Sequence, residues 1–155
     1  MGTPIRTLIR AAIFAAVSDP LKVPSVNGRV HKGRYHGISE DALAAGPVIF
    51  VQAGDEELHE RSEYPRPRAH LKRYANDVLI VAKNAGDVDA LVDIVAMEVC
   101  AAVATDPSAG GVARDIEYQG INDYGEDEEN LDIVKAPMRF VAEYATPENA
   151  TDTPL

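Results

Sequence analysis

One cysteine, Cys100, stands among 155 residues, tryptophan is missing, and only three phenylalanines and six tyrosines occur. A lone cysteine excludes an internal disulfide framework and any structural zinc site that needs several thiolates. No run approaches the ~18 apolar residues that a membrane-spanning helix requires. Basic residues thin out along the chain. Residues 84–155 hold three lysines and arginines against sixteen acids, whereas residues 1–83 hold twelve against nine. The total is a net charge of −10, which argues against a dedicated nucleic-acid binder, because such proteins gain affinity by neutralising phosphates.

What is present is enough to build a core. Hydrophobic residues make up 46% of the chain, whereas disordered chains lack the apolar content to offset chain entropy. The spacing predicts a first helix over residues 4–18. Thr3 can cap it, Pro4 suits a first turn, and Ile5, Leu8, Ile9, Ala12, Ile13, Ala16 and Val17 share one face. Arg6 and Arg10 interleave with that apolar stripe rather than precede it, so the segment reads as a core-packing helix and not as a cleaved signal. Asp19-Pro20 and Pro24 stop it. A short strand follows at 29–34, and Val48 to Val51 form a second. Residues 54–69 are rich in charge, contain Pro65 and Pro67, and read as a long loop.

The next segment, 71–83, reads as a strand ending in Val78-Leu79-Ile80-Val81-Ala82, apolar on both faces and therefore expected to be buried on both sides. Asp87 caps a second helix, whose stripe is Val88, Leu91, Val92, Val95, Val99, Ala102 and Val103. Ile94, Met97 and Cys100 add apolar surface beside that stripe. Residues 113–124 and 131–145 alternate as two strands of a hairpin, in which Pro137 marks an edge or a bulge. The order of elements predicts an α+β fold with two helices packed on one face of a mostly antiparallel β-sheet. Residues 1–147 form one domain with a long loop at 54–69, and residues 148–155 form a flexible C-terminal tail.

Signatures of chemistry are sparse. There is no phosphate-binding loop, no dinucleotide fingerprint and no nucleophile elbow. His31, His36, His59 and His70 lack the helical pairing of a metal site. Glu126, Asp127, Glu128 and Glu129 lack the spacing of a calcium loop and read as a hairpin tip. Such a tip is either a solvated turn or a surface that repels another polyanion. Catalytic, metal-binding and cofactor-binding residues are all expected to be absent, and no enzyme activity is expected.

The succession of elements has a familiar form. A short helix ends in Ser18-Asp19-Pro20, and a strand ends in Asp77-Val78-Leu79-Ile80-Val81-Ala82. A helix carries Ala90-Leu91-Val92-Asp93 and Met97-Glu98-Val99-Cys100-Ala101-Ala102-Val103. Then come Asp106-Pro107, Gly110-Gly111-Val112-Ala113-Arg114-Asp115-Ile116-Glu117 and a closing strand from Met138 to Pro147. Over residues 4–147 the chain resembles the tail terminator (tail completion, minor tail) proteins of long-tailed bacteriophages. The resemblance implies a virion protein, assembled in the host cytoplasm, that forms a hexameric ring at the head-proximal end of the tail tube. Its implied partners are copies of itself, the major tail tube protein and the head-tail connector or stopper. DNA would pass through the ring without sequence-specific binding, and neither cofactor nor membrane is implied. Another head-tail joining protein, or a small ligand-binding α+β domain, is the alternative. Interface candidates are Arg61, Arg66, Arg68, Lys72 and Arg73 as a basic patch, with Val78 and Ile80 as apolar contacts. Glu126, Asp127, Glu128 and Glu129 are candidates for a loop facing the lumen or the tube.

Overall fold

The computed structural model describes residues 2–61 and 69–147, with the backbone alone at 58–61, 69 and 147. Helix α1, Ile5–Ser18, buries Ile5, Ile9, Ile13 and Val17, every fourth residue along one face. Each such side chain contributes about 1.5–3 kcal/mol when fully buried. Pro4 rather than Thr3 stands at the helix boundary, and no side chain caps it. Helix α2, Val88–Ala104, starts as expected, with Asp87 Oδ1 accepting the Ala90 N–H at 3.1 Å.

Six strands form one sheet: β1 Val30–Lys32, β2 Val48–Arg61, β3 Ala69–Lys83, β4 Asp115–Ile121, β5 Gly125–Glu126 and β6 Ile133–Pro147. Their order is β1-β2-β3-β6-β4, with β5 also paired to β6. Only β1 runs parallel to its neighbour β2; the other pairings are antiparallel. The fold is therefore α+β with a mixed, mostly antiparallel sheet. One sheet face carries Ile49, Ile80, Met138, Phe140 and Tyr144, which share a core with the buried residues of both helices. On the other face Val48, Leu79, Val81 and Ile133 meet Tyr35, Ile38 and Leu43 from the β1–β2 connection, where a 3-10 turn spans Glu40–Leu43. The expected double burial of Val78 to Ala82 is present, and its second cover comes from the same chain.

The loop expected over 54–69 is instead largely strand. β2 continues to Arg61 and β3 resumes at Ala69, with pairing out to Arg61↔His70. Two register shifts, between Ala53 and Glu56 and between Leu58 and Glu60, interrupt the alternation that would have marked a strand. At the first of them Gly54 lies so close to β3 that an added Cβ would sit 2.9 Å from the Ala75 carbonyl oxygen. Residues 62–68 and the expected tail at 148–155 lie outside the described residues.

Pro137 sits in β6, an interior strand, and opposes Leu79 of β3. Its carbonyl accepts the Asn122 N–H at 3.2 Å, just past the register shift of β4 between Tyr118 and Ile121. The amide that proline lacks would point to that same side. The missing donor thus falls where one neighbour, β4, gives way to the next, β5, which is the bulge alternative of the sequence reading.

Candidate assembly surfaces

The structure separates the sequence-derived interface candidates. Val78 and Ile80 are 0% exposed and belong to the core beneath the helices. They cannot meet a neighbouring molecule, because one chain already closes both faces of that strand end. Lys72 and Arg73 are adjacent in β3 and point to opposite faces, so they do not make one basic patch. Lys72 lies 3.9 Å from Glu56, and Arg73 lies 3.7 Å from Glu117. Arg61 is described by its backbone only, and Arg66 and Arg68 lie outside the described residues.

Glu56 gathers donors from three elements. Arg6 of α1 approaches it at 3.1 Å, Lys72 of β3 lies on its other oxygen, and the buried Tyr144 of β6 donates its hydroxyl. This cluster ties the first turn of α1 to the β2–β3 hairpin. Nothing in a charge-rich stretch distinguishes Glu56 from Asp55 or Glu57. Only the register, which turns Glu56 toward the helix side opposite Tyr74, selects it.

The acidic tip divides in the same way. Glu126, Glu128 and Glu129 are exposed, but Asp127 is buried. The Tyr35 hydroxyl donates to Asp127 Oδ2 at 2.6 Å, the Glu129 N–H donates to Oδ1 at 3.2 Å, and Lys135 Nζ stands at 3.7 Å. The Tyr35 hydrogen bond, helped by the Glu129 amide and the Lys135 charge, holds this carboxyl below its usual value. Asp127 is therefore an internal anchor and not a lumen-facing charge. The alternation of β6 that marks Lys135 in sequence places it under this loop, yet sequence alone gave no sign that Tyr35 arrives from 92 residues away.

Two further surfaces stand out. Helix α2 is apolar at fourteen of its seventeen positions. It covers the sheet with Val88, Val92, Val95, Val99, Ala102 and Val103 and leaves Ile94 at 46% and Met97 at 67% exposure on its outer side. Beside it, Tyr124 donates its hydroxyl to Asp89, and partial burial together with that contact pushes the phenol up to about 12. The second surface is a pair of sheet edges. Among the described residues, β2 beyond Val51 has no outer neighbour, and neither has β4. Unpaired edges are templates for strand addition. Between α1 and the end of α2 a groove of about 340 Å³ is lined by Ala12, Ile13, Ala16, Val103 and Ile116, with Lys22 and Asp106 among its polar lining. It offers apolar contact area rather than an acid–base pair. Among the described residues no three His, Cys, Asp or Glu side chains gather as a metal site, and no helix is long and apolar enough to cross a membrane.

No protein-family model matches the chain, and no curated protein matches its sequence. Among solved structures it is similar to a chain from the virion of a native gene transfer agent (GTA) particle. That chain shares 16% identity and a TM-score of 0.46, over 88% of this chain and 94% of the other.

Proposed function

We propose that this chain is a structural protein of a phage-like particle and acts there as a tail terminator. Copies close into a ring, hexameric by the family resemblance, at the head-proximal end of the tail tube. The ring stops tube polymerisation, presents a surface to the head connector, and lets DNA pass through its centre. The observation that carries this reading is helix α2. A helix that is apolar nearly all round belongs inside a larger assembly, and α2 keeps Ile94 and Met97 in water after its inner side has filled the core. The outer edge of β2 beyond Val51, without a neighbour among the described residues, supports the same reading, since a ring needs a heterologous interface that closes on itself, and permanent interfaces bury about 2,000 Å² or more.

The charge distribution fits a conduit for nucleic acid. Glu126, Glu128 and Glu129 form an exposed acidic tip, and like charge offers passing DNA no gain from counterion release. These three remain candidates for the lumen. The test is particle production without this chain. Overlong tails without heads are the expected product. Tails of normal length that fail to join heads would instead assign the chain to the connector.

A further inference from the structure

We infer that residues 34–46 form a strap that opens as a unit, and that Asp127 latches it to the acidic tip, so that the state of the tip sets how often an apolar face of the sheet is bared. Both are properties of the single chain, with or without a ring. The strap crosses the sheet face opposite the helices. There Tyr35, Ile38 and Leu43 cover Val48, Leu79, Val81 and Ile133, which are all buried. The main chain of the strap adds nothing to this hold. Among the described residues its backbone hydrogen bonds run from Ala42 to Ser39, from Ala44 to Asp41 and from Gly46 to Leu43, all closed within the strap. Gly33 stands just before it and Gly46 at its end, with φ of +98° and +134°, a region that glycine enters without steric cost. Lifting the strap breaks no strand pairing. A segment held by a few apolar contacts and no ladder belongs to the low-stability end of a structure, which opens far more often than the whole chain unfolds.

Among the described residues one hydrogen bond joins the strap to the rest of the chain: the Tyr35 hydroxyl donates to Asp127 Oδ2 at 2.6 Å. That acceptor also shapes the tip. Asp127 Oδ1 accepts the Glu129 N–H at 3.2 Å, its carbonyl accepts the Asn130 N–H at 3.2 Å, and its own N–H donates to the Ile133 carbonyl at 2.8 Å. Lys135 secures the pair, with Nζ 3.7 Å from Asp127 Oδ1 and 5.4 Å from the centre of the Tyr35 ring. Ile133, where the tip returns to the sheet, lies under the strap. Displacing the tip therefore takes away both the acceptor of Tyr35 and part of the strap's apolar seat. Lifting the strap in turn takes a donor from Asp127. Coupling between two such sites is reciprocal.

Thiol labelling reads the opening on the full chain, in a Cys100→Ala background. Leu43→Cys reports the strap, and Val95→Cys, buried in α2 on the other side of the sheet, reports global unfolding. Leu43→Cys should react roughly a hundredfold faster than Val95→Cys. Adding Tyr35→Phe, which removes the hydroxyl and keeps the ring, should speed Leu43→Cys about tenfold, the loss of a hydrogen bond to a charged group, and leave Val95→Cys unchanged. Leu43→Cys itself thins the strap's packing, so Val81→Cys, on the sheet beneath, is a second reporter and should respond by the same factor. The reciprocal arm is hydrogen exchange at the Asn130 amide, which Tyr35→Phe should quicken. Equal labelling of Leu43→Cys and Val95→Cys, or a Tyr35→Phe effect on both alike, overturns the strap as a separate unit. No response to Tyr35→Phe at Leu43→Cys and Val81→Cys overturns the latch. A response there with unchanged exchange at Asn130 overturns the coupling to the tip.

Discussion

Strand β3 passes through two settings. Around Val78 to Ala82 both of its faces are closed by the same chain, by helices on one side and by Tyr35, Ile38 and Leu43 on the other. Between Lys72 and Asp77 the helix side is the more deeply covered, and on the other side Ala75 is buried while Arg73 and Asp77 stay partly exposed. The other side carries Arg73 and Asp77, each within reach of an ion partner, Glu117 and Arg139. One end of the strand is a finished core; the other is a surface whose polar groups are arranged by pairing rather than by burial. The largest contrast in stability should follow that division. Ile80→Ala removes a side chain that is 0% exposed, and such truncations cost about 2–5 kcal/mol through lost transfer energy and the cavity left behind. Urea denaturation should show this loss equally at low and high protein concentration, because no neighbouring copy covers Ile80. A loss that shrinks as concentration rises would mean that this core is completed by another molecule.

Within the second setting, on its helix side opposite Tyr74, stands Glu56. Glu56→Ala removes the acceptor of the Tyr144 hydroxyl and the ion partner of Arg6. Hydrogen bonds to a charged group contribute about 1.5–3 kcal/mol, so a loss of about 2 kcal/mol is expected. Hydrogen exchange should quicken in the first turn of α1 and in the hairpin, while the Val78 to Ala82 end keeps its protection. Uniform loss of protection would show that the two ends are not separable.

The finished end has an acid-labile anchor of its own. Asp127 is held below its ordinary value in the folded chain, first by Tyr35 and then by the Glu129 amide and Lys135. A carboxyl lowered by folding contributes stability that is complete above its unfolded value, near pH 4, and fades as pH falls through the folded one. Asp127→Asn should therefore cost about 1–2 kcal/mol at neutral pH and flatten the decline of stability on the acid side. Parallel acid limbs for the two proteins would show that Asp127 does not govern that decline.

The same division explains what could be read in advance. The finished end was legible, because its signals are local: four residues at helical spacing in α1, the Asp87 cap, and the unbroken apolar run at Val78. Both helices, the positions of most strands and the sheet class follow from them. In the hairpin arm β3 was legible from residue 71, but the continuation of β2 beyond Val51 was not. Its strands are held by backbone pairing across two bulges, and bulges erase the alternation that betrays a strand. The anchors were hidden for a different reason. Asp127 and Glu56 each sit in a run of acids, and what sets them apart is a tyrosine 92 or 88 residues away. The breadth of α2's apolar surface was legible as a surplus. Which side of it stays exposed depends on how the helix is rolled against the sheet.

The smallest expected effect on folding bears most directly on the open face. Arg139 and Asp77 are 3.4 Å apart, with side chains 39% and 30% exposed. Partly solvated pairs of this kind contribute about 0.2–1 kcal/mol and weaken with salt. Arg139→Ala should thus shift the denaturation midpoint of the monomer only slightly, and less so in high salt. The residue-poor chemistry of this half gives the measurement its value. Only three bases lie beyond residue 84, and one of them, Arg139, stands on this face in an ion pair, whereas Lys135 pairs with Asp127 at the finished end. If the face only meets water, assembly should tolerate Arg139→Ala as well as folding does. A tenfold or greater loss of assembly with a folding change below about 1 kcal/mol would place a neighbouring molecule on the open face. The contrast between the two ends of β3 would then be one between burial within a chain and burial between chains.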